Sequence, residues 1–188
     1  MYKTVVFDLD GTLLNTLTDL ADAGNRLCRK YGWPTHERQA YRYFVGNGIP
    51  KLVERLAPAD QRTPAVLEAA LADFKRDYGQ HLRDTTAPYP GIPEMLAKLK
   101  ANGVQLAVFS NKADALAKEV VKDYFGTQYF TIVRGQMTGV APKPAAEGTN
   151  ALLQALHADP ASTLYVGDSN VDVDTAHSAN LPCWGAVR

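Results

Sequence analysis

Short apolar runs alternate along the chain with stretches whose apolar positions recur every three or four residues. Thr4-Val5-Val6-Phe7 is β-branched and aromatic and stops at Asp8-Leu9-Asp10-Gly11, the pattern of a buried strand ending in a turn. Similar runs over residues 104–109, 129–133, 163–166 and 182–187 predict further strands. Helical patterns separate them. Residues 92–101 close on Asn102-Gly103, and residues 113–125 place Leu116, Ala117, Val120, Val121 and Tyr124 on one face. Residues 146–157 and 171–179 complete the alternation. Strands this apolar, each followed by a helix, predict an α/β fold: a Rossmann-like parallel sheet with helices on both faces.

The strand pattern lapses between residues 16 and 86. Leu17, Leu20, Ala21, Leu27, Cys28 and Tyr31 form a helical stripe that ends at Gly32. Thr63-Pro64 is an N-cap followed by proline at the first helical position, and Val66, Leu67, Ala70, Leu71, Phe74, Tyr78 and Leu82 continue from it. Shorter helices are expected over 36–44 and 50–56. A helical block thus interrupts the α/β part just after its first strand. The expected division is 1–15 with 87–188 for the α/β core and 16–86 for an α-helical insertion. The chain returns through 84–90, where Pro88 and Pro90 stiffen it.

Composition narrows the partners. The 188 residues carry 20 Lys+Arg against 20 Asp+Glu, so the basic excess that nucleic acid or an anionic membrane surface requires is missing. No nucleic-acid or membrane partner is expected. A chain of this length buries roughly 70% of its unfolded surface and needs no disulfide staple. Met1-Tyr2-Lys3 is followed by too short an uncharged run to make a secretory segment. Cys28 and Cys183 show no CxxC pairing, so a reduced, cytoplasmic protein is expected, as monomer or small homo-oligomer.

Candidate chemistry gathers at strand ends. In an extended chain residues two apart point the same way, so Asp8 and Asp10 project together, and two such carboxylates call for a cation or a shared proton. Gly11 permits a sharp turn and close approach of a ligand. An EF-hand loop starting at Asp8 fails, because Leu13 takes the glycine position and the preceding residues read as strand. Ser110-Asn111 follows the second strand before a helix expected near Lys112. It reads either as a plain N-cap or as a hydroxyl and backbone N–H groups at a helix start, which favour an anion. Lys143 stands between Pro142 and Pro144, which restrict its backbone as a solubilising lysine would not require. Gly167-Asp168-Ser169-Asn170-Val171-Asp172 again ends a strand, and its polar groups suit helix capping, metal binding, or both. All four places fall at the carboxyl edge of one parallel sheet, where open α/β folds bind ligands. Paired carboxylates, a hydroxyl, a lysine and a further acidic pair are the equipment for phosphoryl transfer with Mg²⁺.

With Asp8-Leu9-Asp10-Gly11-Thr12-Leu13, Ser110-Asn111-Lys112, Lys143-Pro144 and Gly167-Asp168-Ser169-x-x-Asp172 in this order, the chain resembles the haloacid dehalogenase superfamily of phosphohydrolases over essentially its whole length. The insertion looks like that superfamily's α-helical cap. Phe44-Val45-Gly46-Asn47-Gly48 and Ser110-Asn111-Lys112 are similar to the phosphoglycolate phosphatase-like branch. The sequence departs at Asn15, often aspartate in the family, and at Ala146, often proline. Relatives usually continue past the fifth strand with another helix and strand, whereas this sequence stops at Arg188.

The resemblance implies Asp8 as nucleophile forming an aspartyl-phosphate, and Asp10 as the acid and base serving leaving group and water. It implies Mg²⁺ held by Asp8, the Asp10 carbonyl and Asp168, with Asp172 in support. Ser110 and Lys143 would bind phosphoryl oxygens, with Gly11, Thr12 and Asn111 completing the phosphate cradle. Gly46 and Asn47 would help choose the substrate, a small phosphorylated metabolite resembling phosphoglycolate or a sugar phosphate. Lys51 and Arg55 read as a solvated helix face that a substrate carboxylate could also meet. The alternatives are a β-phosphoglucomutase-like phosphomutase or a pyrophosphatase on the same fold. Outside enzymes, a receiver-like domain or a scaffold remains, each opposed by the insertion or by the intact motif set.

Overall fold

Every residue of β1 (Thr4–Phe7) is buried, and each pairs on both sides, so this strand sits at the centre of its sheet. The computed structural model describes Met1–Ala186. It divides into two units, Met1–Leu14 with the chain from Pro88 onward, and Asn15–Ala87.

The first unit is a five-stranded parallel sheet. With β2 (Gln105–Ala113), β3 (Phe130–Gln136), β4 (Thr163–Gly167) and β5 (Cys183–Gly185), its order is β3-β2-β1-β4-β5. Val6 lies opposite Ala107 on β2 and Tyr165 on β4. The chain runs outward one way from β1 through β2 to β3, then returns to the other side for β4 and β5. The reversal places the carboxyl ends of β1 and β4 side by side, the position where such sheets open a ligand crevice.

Four helices of this unit connect or flank the strands: Ile92–Ala101, Asp114–Phe125, Ala146–Leu156 and Asn170–Ser178. Leu152, Leu153 and Leu156 of the third and Ala176 of the fourth join Val6, Ala107, Phe109 and Tyr165 in one apolar core. Removing these side chains from water supplies the main force that holds helix to sheet.

Two strands run longer than their apolar signal. β2 continues through Ser110, Asn111 and Lys112 to Ala113, and the helix starts at Asp114, so Ser110-Asn111 is not at a helix N-terminus. Tertiary pairing overrides local polarity here. Ala113 pairs with Gln136 across an irregular register, and the Asp114 carboxylate accepts the Gly135 N–H at 3.0 Å. β3 likewise extends to Gln136. Of the strand expected over 182–187, Cys183–Gly185 forms, and Val187 lies outside the described residues.

The second unit is helical. Its members are α1 (Leu17–Tyr31), α2 (Tyr41–Phe44), α3 (Ile49–Leu56) and α4 (Pro64–His81). α1 stops at Gly32 in the left-handed region, and Thr63 caps α4 by accepting from the Val66 N–H. Leu20, Leu27 and Cys28 of α1 and Phe74 and Tyr78 of α4 are buried. The helix expected over 36–44 splits into a 3-10 turn, Arg38–Ala40, followed by α2. Asn25 accounts for the late start: its amide accepts the His36 N–H and donates to the His36 carbonyl, both at 2.9 Å, which spends both groups outside any helix. Arg55 donates to the Phe44 carbonyl at 2.8 Å and to Asn47 Oδ1 at 2.9 Å, bracing the turn before α3. Lys51 pairs with Glu54. Lys51 thus lies on the expected solvated face, and Arg55 does not.

Candidate active site

The turn after β1 folds on itself. The Leu9 carbonyl accepts the N–H groups of Leu13 and Leu14 at 3.0 Å and of Thr12 at 3.3 Å, and the Gly11 N–H donates to the Leu14 carbonyl at 2.8 Å. Gly11 has φ 93°, a backbone that a side chain resists, so glycine makes the turn possible. Leu9, Leu13 and Leu14 are fully buried and anchor the loop, while Asp8 and Asp10 face the sheet's carboxyl edge. In this arrangement the Gly11 and Thr12 N–H groups serve the loop itself.

Lys143 is the hub. Its Nζ donates to Asp8 Oδ1 and Asp172 Oδ1 at 2.8 Å each, to the Tyr165 hydroxyl at 3.1 Å and to the Phe109 carbonyl at 3.2 Å. The residue is only 3% exposed. Burial alone would strip its proton, but Asp8, Tyr165 and Asp172 more than offset that and hold the ammonium well above the ordinary lysine range. For Asp8 burial acts the other way, and its carboxyl is raised too. Burial pushes its carboxyl up, Lys143 opposes, Asp172 adds to the rise, and the result is about 6. Tyr165 is pushed far above the usual phenol range, chiefly by burial, so its hydroxyl stays protonated.

A second ion pair stands beside the first. Lys112, with its side chain 3% exposed, donates to Asp10 Oδ1 at 3.0 Å. Its backbone N–H donates to Ser110 Oγ at 3.1 Å, which leaves the Ser110 proton to be donated elsewhere. Thr12 Oγ1 donates to Asp168 Oδ1 at 3.0 Å, tying the first loop to the end of β4. Asn111 turns its amide to the backbone of Lys143, accepting its N–H at 2.9 Å and donating to its carbonyl at 3.2 Å.

After β4, Gly167 allows the helix Asn170–Ser178 to start very close to the strand. A Cβ there would come within 2.2 Å of the Asp172 Cβ. Ser169 and Asp172 form a capping box, with Asp172 Oδ2 accepting from the Ser169 N–H at 3.1 Å and hydroxyl at 2.6 Å. Asp172 therefore caps its helix through one oxygen and faces Lys143 through the other.

The donor set fits a hard divalent cation. Asp8, Asp168 and Asp172 each offer a carboxylate oxygen, and these lie within 4.8 Å of one another. Asp8 and Asp172 share the Lys143 ammonium, and Asp10 has Lys112. Oxygen donors in this arrangement suit Mg²⁺, which keeps several waters and takes few carboxylates.

The structure brings together Asp8, Asp10, Gly11, Thr12, Ser110, Asn111, Lys143, Asp168 and Asp172 within one unit. Gly46 and Asn47 belong to the helical unit. Sequence reasoning assigned no task to Lys112 or Tyr165. Lys112 adjoined a recognised pair and reads as exposed on polarity alone. Tyr165 sits in an apolar strand where its ring is indistinguishable from ordinary core.

Comparison with known proteins bears on the family and the fold. A family model described as haloacid dehalogenase-like hydrolase matches residues 5–186. A phosphoglycolate phosphatase of Thiobacillus denitrificans is 32% identical over 185 residues, 97% of this chain and 82% of that protein. One from Mesorhizobium japonicum is 33% identical over 180 residues, 95% of this chain and 79% of the relative. A solved structure from Lactobacillus delbrueckii subsp. bulgaricus superposes with a TM-score of 0.90 at 28% identity, covering 97% of this chain and 84% of that one.

Proposed function

The chain belongs to the haloacid dehalogenase-like hydrolase family and is a phosphatase acting on phosphate monoesters, and we propose that it hydrolyses a small phosphorylated metabolite through an aspartyl-phosphate on Asp8. The observation that carries this reading is the buried Asp8 carboxylate, held by Lys143 beside a second carboxylate, Asp10, that has its own ammonium partner. Asp8 Oδ attacks phosphorus and the ester oxygen leaves. Asp10 gives that oxygen a proton, then takes one from the water that releases phosphate from Asp8. The Ser110 hydroxyl and the Lys143 ammonium meet the equatorial phosphoryl oxygens, and Lys143 offsets the repulsion between Asp8 and the incoming phosphate. Asp8, the Asp10 carbonyl and Asp168 would hold Mg²⁺, with Asp172 bracing that set. When bound, the ion supplies charge neutralisation for the phosphoryl oxygens.

The relatives' name makes phosphoglycolate the first substrate to try, and Gly46-Asn47 in the helical unit the first place to alter preference. Both cysteines are free thiols, and no described helix is long and apolar enough to cross a membrane. A cytoplasmic site of action is in keeping with reduced thiols. The test is phosphate release, with and without Mg²⁺, across phosphoglycolate, sugar phosphates, nucleotides and pyrophosphate. Release from one or a few small monoesters, abolished by chelation, is expected. Release unaffected by chelation would contradict the metal assignment, and preferential release from pyrophosphate would contradict the substrate class.

A further inference from the structure

Lys143 stands in a turn between β3 and the helix Ala146–Leu156, flanked by Pro142 and Pro144. No strand or helix ladder holds its backbone there, and Pro144 has no N–H to contribute. Asn111 fills that gap. Its Oδ1 accepts the Lys143 N–H at 2.9 Å and its Nδ2 donates to the Lys143 carbonyl at 3.2 Å. This two-bond exchange copies a hydrogen-bonded residue pair of a β-ladder, with a side-chain amide standing in for one main chain. An amide used in this way spends its oxygen and one of its two N–H protons on a backbone.

The other end of Lys143 is held as tightly. Its three ammonium protons face four oxygens: Asp8 Oδ1, Asp172 Oδ1, the Tyr165 hydroxyl and the Phe109 carbonyl. The Tyr165 hydroxyl is 3.3 Å from Asp172 Oδ1 and 3.4 Å from the Phe109 oxygen, so it can accept from Lys143 and pass its own proton onward. Tyr165 is fully buried and its ring centroid is 5.7 Å from the ammonium. The stem between the two ends is thereby left few positions.

We propose that Asn111 and Tyr165 are positioning residues that act on the phosphoryl group through Lys143, Asn111 by fixing its backbone and Tyr165 by fixing its ammonium. The proposal rests on the reading that Lys143 meets the phosphoryl oxygens. It gives Asn111 a task other than direct phosphate binding.

A double-mutant cycle tests it, read as kcat/KM for phosphate release and as affinity for inorganic phosphate by calorimetry. Lys143→Met, which keeps the stem and removes the charge, is the background. Asn111→Ala in the natural protein lowers kcat/KM about 10²-fold, the cost of a displacement near 1 Å. Tyr165→Phe lowers it about tenfold, as the loss of one hydrogen bond predicts. In the Lys143→Met background each change costs less than twofold, and phosphate affinity does not fall further. If Asn111→Ala weakens phosphate binding as much in that background as in the natural protein, Asn111 touches the anion itself and the proposal falls. If Lys143→Met leaves kcat/KM within threefold of the natural protein, the assignment of Lys143 falls instead, which is a different failure. Should Lys143→Met not fold by circular dichroism, amide exchange at Lys143 in Asn111→Ala decides. Exchange faster by tenfold or more with reduced kcat/KM supports the proposal, and unchanged exchange with reduced kcat/KM overturns it.

Discussion

Lys112 and Asp10 form the most telling pair at the residue scale. A lysine with its side chain 3% exposed does not stay charged without a partner, and here the partner is the carboxylate proposed to protonate the leaving group. Lys112 fixes where that carboxylate points, so Lys112→Met should misplace the acid and hurt substrates that need its proton more than those that do not. Turnover of an alkyl phosphate should fall at least tenfold further than turnover of p-nitrophenyl phosphate, whose leaving group departs unaided. Equal losses on both substrates would detach Lys112 from Asp10's chemistry. Cys28 gives a second residue-level expectation. Burial pushes its thiol up to about 11, above the ordinary value of 9.0. The folded state therefore keeps a proton that the unfolded chain releases, so this contribution to stability is intact below pH 9 and is lost as pH rises toward 11. Urea unfolding from pH 8 to 11 should show a steeper loss for the natural protein than for Cys28→Ala. Identical slopes would place the thiol in a wetter site.

The elements divide cleanly into those that local pattern dictates and those that pairing imposes. β1, α1 and α4 follow from apolar runs, stripes and caps, because hydrophobic periodicity and the Thr63-Pro64 start act within a few residues. The polar extension of β2 through Ser110, Asn111 and Lys112 does not, since its conformation comes from β3 and from Asp114 gripping Gly135. The same holds for His36, which Asn25 of another helix keeps out of the expected helix. Two substitutions probe these elements. Thr63→Ala should cost about 0.5 kcal/mol, the low end for a helix cap, because the cap bond is long at 3.4 Å. Gly167→Ala should cost about 3 kcal/mol or more, since the new methyl meets the Asp172 side chain within van der Waals distance. Chemical denaturation measures both, and a Gly167→Ala loss below about 1 kcal/mol would mean the helix start moves aside easily.

Across the whole molecule, zero net charge conceals a local carboxylate cluster, since oxygens of Asp8, Asp168 and Asp172 lie within 4.8 Å of one another. Spacing alone exposed Asp8, Asp10, Asp168 and Asp172, because strand ends and glycine turns announce themselves in sequence. The hydrogen bonds that give each group its task were not legible. Asn111 clamping a backbone, Thr12 holding Asp168 and Tyr165 closing on Lys143 link positions up to 156 residues apart, and no local pattern records such contacts. Mg²⁺ binding should relieve the repulsion among these carboxylates and raise Tm with the logarithm of free Mg²⁺ above its dissociation constant. Ca²⁺, with its looser coordination, should raise Tm without supporting turnover. The central claim is that Asp8 itself takes the phosphoryl group. The most direct measurement is Mg²⁺-dependent phosphate release by Asp8→Asn, with folding checked by circular dichroism. A fall of at least about 10³-fold in kcat with the fold intact is the predicted result, whereas a folded variant that turns over within tenfold of the natural protein would contradict it.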